Sequence, residues 1–184
     1  DGDELSIVLT EVAADQYRVT CHNQDDELLA EINAESMQPM DVDIGLDGPA
    51  KATPKVEIEW ENVVSGDVFV KKTWLLSESE NNRYSEEISD NDPIYKNHIH
   101  PHYLLSLANA CLMEEYIMPA WIHASSITNH RAALMVGDEI TSKSVVKEKF
   151  ERKGHQFITL HITYWRGQEL TTDILHTAIF RIAE

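Results

Sequence analysis

Residues 90–102, which read DNDPIYKNHIHPH, concentrate side chains that can move protons. Its candidate acids and bases are two carboxylates, one phenol and three imidazoles: Asp90, Asp92, Tyr95, His98, His100 and His102. Carboxylates and imidazoles are the commonest general acids and bases in enzymes. Two prolines in the segment predict a loop, and Asp90 can also serve simply as a turn cap before Pro93.

The three histidines of this loop form an H-x-H-x-H pattern that is compatible with a metal site. Pro101 interrupts the pattern, and no carboxylate or cysteine stands at a convincing ligand spacing. We therefore favour histidines that cap the following helix, and we expect neither a metal nor a cofactor.

A second group of candidates follows the predicted helix: Trp121, His123 and Arg131. Strict alternation in a strand would place Trp121, His123 and Ser125 on one face. Core packing is favoured for Trp121, whereas a binding role for His123 stays open. Arg131 can bind a phosphate, but a pairing with an acid of the first half is favoured.

The only basic cluster of the chain lies between residues 143 and 153. Four of its lysines share strand parity and predict a basic stripe: Lys143, Lys147, Lys149 and Lys153. Such a stripe would attract the phosphates of a ligand. A solvent-exposed strand face whose lysines balance nearby acidic residues is an equally good interpretation.

Hydrophobic periodicity predicts the elements that position these groups. An apolar helix is expected at 103–117, and a capping box at Ser77 and Glu80 predicts a short helix to about residue 89. The predicted strands cover 5–9, 16–21, 28–32, 121–127, 132–136, 139–150, 155–165 and 169–182. One buried helix followed by long strands favours an α+β fold with an antiparallel sheet wrapped around the helix.

The net charge of −17 is carried entirely by residues 1–95, since residues 96–184 sum to zero. A general nucleic-acid binder needs a basic footprint, so nucleic acid is excluded as a partner. We expect no membrane span, because no apolar run is long enough. Cys21 and Cys111 are the only cysteines, which favours a reducing, cytoplasmic location.

Several short motifs resemble those of MaoC-type hotdog domains, a family that includes (R)-specific enoyl-CoA hydratases. They occur in the family's order over roughly residues 60–182: Gly66-Asp67-Val68-Phe69, Ser77-Glu78, Asp90-Asn91-Asp92-Pro93-Ile94-Tyr95 and Gly137-Asp138-Glu139-Ile140. The resemblance implies a hotdog fold that works as a dimer or as two fused halves. It also implies an acyl thioester of CoA or of an acyl carrier as ligand, bound in a tunnel between two hotdogs.

The resemblance also suggests the site residues. The family's catalytic Asp corresponds to Asp90, its His to Tyr95 and its Asn to Asp92, and a backbone N–H at a helix N-terminus polarises the thioester carbonyl. Because a phenol cannot replace imidazole as a base near neutral pH, we consider His100 and His98 as sources of the missing imidazole. Trp121, His123, Arg131 and Lys147 complete the candidate substrate-binding set.

Three functions follow in order of preference. The first is a hydratase or dehydratase of acyl thioesters, the second is a catalytically inactive acyl-binding half, and the third is a hotdog thioesterase. The expected organisation is a β-hairpin segment over 1–35, a linker over 36–55 and the hotdog domain over 56–184, with a homodimer as the assembly. The likeness of Gly2-Asp3-Glu4-Leu5 to Gly137-Asp138-Glu139-Ile140 raises the possibility that 1–35 ends a truncated first hotdog.

Overall fold

The structure, a computed structural model, describes residues 4–36 and 54–183, which fall into two compact units, Asp1–Asp43 and Ile44–Glu184. The proposed linker over 36–55 lies almost wholly outside the described residues. Within the described part of the chain, no helix is long and apolar enough to cross a membrane.

The first unit is a three-stranded antiparallel sheet. Its strands, in spatial order, are β1 (Ser6–Ala13), β2 (Gln16–His22) and β3 (Leu28–Glu35). Asn23 Oδ1 shapes the predicted turn between β2 and β3, because it accepts hydrogen bonds from the backbone N–H groups of Asp25 and Glu27. Ile7 and Ile32 stay 69% and 62% exposed, so the buried apolar core of the described residues lies in the second unit.

The second unit contains two α-helices and a five-stranded antiparallel sheet in the order β5-β8-β9-β10-β7. The helices are α1 (Glu78–Glu87) and α2 (Tyr103–Glu115). The sheet strands are β5 (Lys72–Leu75), β7 (Ile122–His130), β8 (Glu139–Arg152), β9 (His155–Arg166) and β10 (Glu169–Arg181). A separate two-residue parallel pair joins β4 (Val56–Glu57) to β6 (Tyr116–Ile117).

Helix α2 packs on one face of this sheet, which we name the inner face. Leu104, Leu112 and Ala108 of the helix are buried in one cluster with Leu160 and Ile174 of the sheet. The hydroxyl of Tyr164, which is fully buried on β9, donates a hydrogen bond of 3.2 Å to the carbonyl of Leu104. The predicted sheet around a buried helix is therefore present.

The helix boundaries follow from local chemistry. Ser77 Oγ accepts the backbone N–H of Glu80, as the capping box predicts, and its hydroxyl donates to the Glu80 carboxylate at 2.8 Å.

The hairpin between β8 and β9 turns at Lys153 and Gly154, both with positive φ (53° and 77°). A two-residue turn of this kind matches the right-handed twist of the strands it joins.

One predicted strand, 132–136, is wrong. Only Ala132 N–H still donates to a long strand, at the Thr171 carbonyl of β10. Beyond it the segment is an irregular connection between β7 and β8, because its backbone bonds to residues 97–99 and to Asp138. The Leu134 carbonyl accepts from Ile99 N–H, and Val136 N–H donates to the Asn97 carbonyl. The pairing limits the extended stretch to an isolated bridge between His98 and Met135.

Candidate functional site

The loop after α1 has a defined shape because each of its two aspartates caps the backbone that follows. Asp90 Oδ1 accepts the N–H of Asp92 at 3.1 Å. Asp92 Oδ1 in turn accepts the N–H of Ile94 at 2.9 Å and caps a 3₁₀ helix, Pro93–Lys96. Proline suits the first position of that helix because its missing N–H would have no partner there. Asp92 therefore has a structural role in the loop.

The loop brings Asp90 and His100 together. Asp90 Oδ2 lies 3.2 Å from His100 Nε2. The His100 side chain is only 10% exposed, whereas that of Asp90 is 38% exposed and is reachable from solvent. The candidate imidazole that sequence reasoning placed downstream of Tyr95 thus lies beside the candidate carboxylate.

The hydrogen bonds of His100 decide which nitrogen carries its proton. The backbone N–H of His102 donates to His100 Nδ1 at 3.2 Å, and a backbone N–H can only donate. Nδ1 is therefore an acceptor, and a neutral His100 carries its proton on Nε2. Its Nε2–H then donates to Asp90, so His100 orients the carboxylate and has no free lone pair with which to act as a base.

Two tyrosine rings pack against His100. The ring centroid of Tyr95 lies 4.4 Å from that of His100, and the centroid of Tyr84 lies 5.4 Å away. Burial, together with the nearby charges of Asp90 and Asp92, raises the pKa of Tyr95. Tyr95 is thus a neutral phenol near neutral pH and packs beside the Asp90–His100 pair.

Asn81 is a site residue that sequence reasoning missed. It lies on α1 and is fully buried. Its side-chain NH₂ donates to the carbonyls of Tyr95 at 2.7 Å and His98 at 3.0 Å, and its Oδ1 accepts the N–H of His100 at 2.9 Å. In the sequence it is one of two successive asparagines on a polar helix, so no pattern marked it as the anchor of the loop.

The N-terminus of α2 does not offer the carbonyl-polarising donor that the resemblance implies. Pro101 has no N–H, and the N–H of His102 is bonded to His100 Nδ1. The next three N–H groups donate to carbonyls of the same turn: Tyr103 to His100, Leu104 to Pro101 and Leu105 to His102. The donors in this turn are already used inside the protein.

The three loop histidines have separate partners. His98 Nδ1 lies 3.3 Å from the Ile94 carbonyl, His100 contacts Asp90, and His102 Nδ1 makes a short contact with the Tyr84 hydroxyl. Among residues 4–36 and 54–183, no group of three or more His, Cys, Asp and Glu side chains could hold a metal ion.

A pocket of about 420 Å³ lies beside this loop. Its lining is mostly apolar and comes from the loop, from the start of α2 and from the connection after β7, with Ile94, Ile99, Leu104 and Leu134 among the apolar residues. Tyr95 joins the two features, because it lines the pocket and its ring packs on His100. His98 and Arg131 are also part of the lining.

Arg131 is paired with an acid, as favoured, and Asp173 of the second half is one partner. Its Nε and Nη2 each lie 2.7 Å from Asp173 Oδ1. Asp173 is 3% exposed and also accepts from Asn129 Nδ2 at 2.8 Å. Asp173 reaches Arg131 because β7 and β10 are neighbours and place residues 129 and 173 opposite each other.

A β-bulge overturns the predicted face shared by Trp121, His123 and Ser125. Trp121 precedes β7 and packs against the core. On β7 the register shifts so that His123 pairs with Ala178 while Ser125 pairs with Thr177. Directly opposed residues share a face, so His123 lies on the inner face and Ser125 on the opposite face.

A second bulge removes the predicted basic stripe. The register of β8 against β9 shifts between Val146 and Glu148, and Lys147 is the extra, exposed residue. Lys143 pairs with Thr163, whereas Lys149 pairs with the core residue Ile158. Lys143 and Lys149 therefore lie on opposite faces, where their ammonium groups stack 4.5 Å from the ring centroids of Trp165 and Trp60.

The inner face also carries a polar cluster of His123, Ser126 and His176. Ser126 Oγ lies 2.9 Å from His123 Nε2 and 3.0 Å from His176 Nδ1. The two imidazole rings are stacked with centroids 4.9 Å apart. Of these three residues, sequence reasoning identified only His123, because Ser126 and His176 belong to strands with no distinctive motif.

Solved structures with a similar backbone include enzymes of one fold. PhaJ1, an (R)-hydratase from Pseudomonas aeruginosa, matches 70% of this chain and 88% of its own at a TM-score of 0.56 and 16% identity. The HadBC complex of Mycobacterium tuberculosis, a 3R-hydroxyacyl-ACP dehydratase, matches 64% of this chain and 97% of its own at 0.57 and 9% identity. A MaoC-like dehydratase from Rhodospirillum rubrum matches 69% of this chain and 99% of its own at a TM-score of 0.50 and 13% identity. No protein-family model and no curated protein matches the sequence.

The second unit thus has the antiparallel sheet and central helix of an α+β hotdog protein. At these identities the likeness establishes the fold, and the expected hotdog fold is confirmed. The resemblance to MaoC-type proteins is also confirmed at the level of the fold, which MaoC-like dehydratases and (R)-hydratases share.

Replacing Asn81 by Ala should destabilise the protein and loosen the loop. The change leaves two half-buried carbonyls and one buried N–H without their partner, which we expect to cost about 2 to 3 kcal/mol of unfolding free energy. Urea denaturation followed by tryptophan fluorescence measures this loss, since all four tryptophans lie in the second unit. The exposed neighbour provides the control: Asn82→Ala should change stability by less than about 0.5 kcal/mol, and equal effects of the two changes would contradict the anchoring role.

Buried histidines should make stability fall in acid. Burial, with a smaller effect of His123, lowers the pKa of His176 from 6.5 to about 4. Between these two pH values the unfolded chain binds a proton that the folded chain does not. The contribution of neutral His176 to the unfolding free energy is therefore complete above pH 6.5 and decreases as the pH falls to about 4. This one group should account for about 3 kcal/mol. Urea titrations over that range should show a shallower decrease for His176→Leu, and parallel curves would refute the assignment.

Proposed function

We propose that the protein binds acyl thioesters of CoA or of an acyl carrier and adds or removes water, with Asp90 as the general base. The observation that carries this proposal is the Asp90–His100 contact on the loop before the central helix of a hotdog fold. Structures with this fold include proteins named as an (R)-hydratase and a hydroxyacyl-ACP dehydratase.

Asp90 is the group of this pair that can accept a proton. One of its oxygens takes the Asp92 N–H and the other takes the His100 Nε2–H, yet a carboxylate has about four acceptor sites. The remaining lone pairs on the exposed side of Asp90 can bind a water molecule. Water then loses a proton to Asp90 while its oxygen attacks the β-carbon of the enoyl group, and the electron pair of the double bond moves into an enolate. Asp90 returns the proton to the α-carbon of this enolate, which completes the addition of water and restores the carboxylate.

The neighbouring pocket supplies a place for the acyl chain. Its apolar lining suits a hydrocarbon chain, and a volume of about 420 Å³ lies within the usual range for small-molecule sites. Tyr95 connects this pocket to His100, so a chain bound there would lie beside the reacting pair. Addition or removal of water along this route requires neither a redox group nor a metal.

Replacing Asp90 by Asn should abolish most of the hydration of crotonyl-CoA, followed as loss of the enoyl absorbance. The amide keeps the shape of the side chain but cannot accept the proton of water, so kcat/KM should fall by about 10² or more. Glu86→Gln on the exposed face of α1 is the matched control, since it also removes one carboxylate and should leave the rate unchanged. Equal rates for Asp90→Asn and the unmodified protein would eliminate Asp90 as the base.

A second candidate function is an acyl-binding hotdog without turnover. Two observations favour it: the N–H donors at the start of α2 are already bonded within the protein, and Tyr95 stands at the family's histidine position. Calorimetric binding of crotonyl-CoA with no loss of enoyl absorbance at high protein concentration would select this function over the first.

We also propose that the protein works as a homodimer. Strand β7 forms one edge of the five-stranded sheet, and Ile122 and Ile127 on it are 45% and 63% exposed. An open edge with apolar side chains is suited to pairing with another chain. Light scattering after size exclusion should give twice the 21.0 kDa mass of the chain, and a monomer at micromolar concentration would contradict this assembly.

A further inference from the structure

Ser126 is held between two imidazoles on the inner face of the sheet. Its Oγ lies 2.9 Å from His123 Nε2 and 3.0 Å from His176 Nδ1, so both distances are within hydrogen-bond range. A serine within hydrogen-bond reach of a histidine that another group orients is the arrangement by which enzymes activate a hydroxyl as a nucleophile.

The burial of His176 decides the direction of these hydrogen bonds. His176 is 1% exposed, and its Nε2 has no hydrogen-bond partner among the residues that the structure describes. A buried N–H without a partner is rarer in proteins than an under-satisfied acceptor, so Nε2 carries the lone pair and Nδ1 carries the proton. His176 Nδ1–H therefore donates to Ser126 Oγ. The pKa of His176 is lowered to about 4 by burial first and by His123 second, which keeps this ring neutral near neutral pH.

His123 is then the imidazole that can accept the hydroxyl proton of Ser126. Because Oγ accepts a hydrogen bond from His176, its own O–H donates to the lone pair of His123 Nε2. Stacking on His176 at 4.9 Å and an interplanar angle of 14° orients the His123 ring. His123 is exposed and Ser126 is half-buried, so a reagent can reach the pair.

We propose that Ser126 is a nucleophile, with His123 as its general base and His176 as a positioning residue, in a second site that accepts acyl groups from esters or thioesters. Ser126 Oγ attacks the acyl carbon and passes its proton to His123 Nε2. The bond from the acyl carbon to the leaving oxygen or sulfur breaks, and His123 returns the proton to that leaving group. Water then hydrolyses the serine ester to a free acid and restores the hydroxyl.

This site is independent of the proposed hydration. It uses none of the residues of the Asp90–His100 pair, and its reaction breaks the bond that hydration leaves intact. Loss of the enoyl absorbance reports hydration, whereas covalent labelling reports Ser126, so either can fail without the other.

Labelling with a fluorophosphonate probe tests the proposal, because the reagent phosphonylates activated serines with loss of fluoride. Intact-protein mass spectrometry of the full chain should show one adduct, and peptide mapping should place it on Ser126. The chain offers a matched control in Ser125, which lies on the opposite face of the same strand. Ser125→Ala should label at the original rate, Ser126→Ala should lose the adduct, and His123→Gln should slow labelling by about 10² or more.

Each result of these experiments either supports or overturns the role of Ser126 as a nucleophile. A single adduct on Ser126 that His123→Gln suppresses supports the proposal, and so does release of p-nitrophenol from p-nitrophenyl acetate that falls at least tenfold in His123→Gln. No adduct on the unmodified protein, an adduct on another residue, or unchanged labelling of His123→Gln would each overturn it. Peptide mapping of the unmodified chain gives this answer even if Ser126→Ala fails to fold.

Discussion

The packing of helix α2 on the inner face of the sheet is the contact on which the other features depend. The helix is apolar around most of its circumference, and burial of such a surface is the main source of folding free energy. Six of its residues are buried, and the hydrogen bond from Tyr164 to the Leu104 carbonyl ties its first turn to β9. This packing fixes the start of α2, which in turn fixes His100 and the loop that ends there.

The site loop then takes its shape from hydrogen bonds that start on a neighbouring helix. The side-chain amide of Asn81 makes hydrogen bonds to three backbone groups of residues 95–100. Because this amide is fully buried, water does not compete for these hydrogen bonds. The two aspartates act inside this frame, since each closes a turn two residues ahead. The fold and the proposed function therefore use the same carboxylate: Asp90 caps the loop through one oxygen and contacts His100 through the other.

How much of this was predictable depends on the range of the interaction. The N-cap at Ser77, the turn between β2 and β3 and the buried helix α2 rest on neighbouring residues, and the sequence patterns indicated them. The faces of His123, Lys143 and Lys149 were wrong because one inserted residue in a strand reverses the parity of every residue beyond it. Such bulges depend on the partner strand. The same limit hid Asn81, Ser126 and His176, because Asn81 bonds to Tyr95, 14 residues away, and Ser126 bonds to His176, 50 residues away.

At both His100 and His176, a fixed feature of the surroundings determines which ring nitrogen donates a hydrogen bond and which accepts one. At His100 the fixed neighbour is a backbone N–H, so the ring must donate to Asp90 and the carboxylate is left as the acceptor. At His176 the constraint is burial without a partner, so the ring must donate to Ser126 and His123 is left as the acceptor. In both proposed sites the more buried imidazole orients its neighbour, and the more exposed group is the proposed proton acceptor. A buried ring is held in one tautomer by its surroundings, whereas an exposed group can exchange its proton with solvent during a reaction.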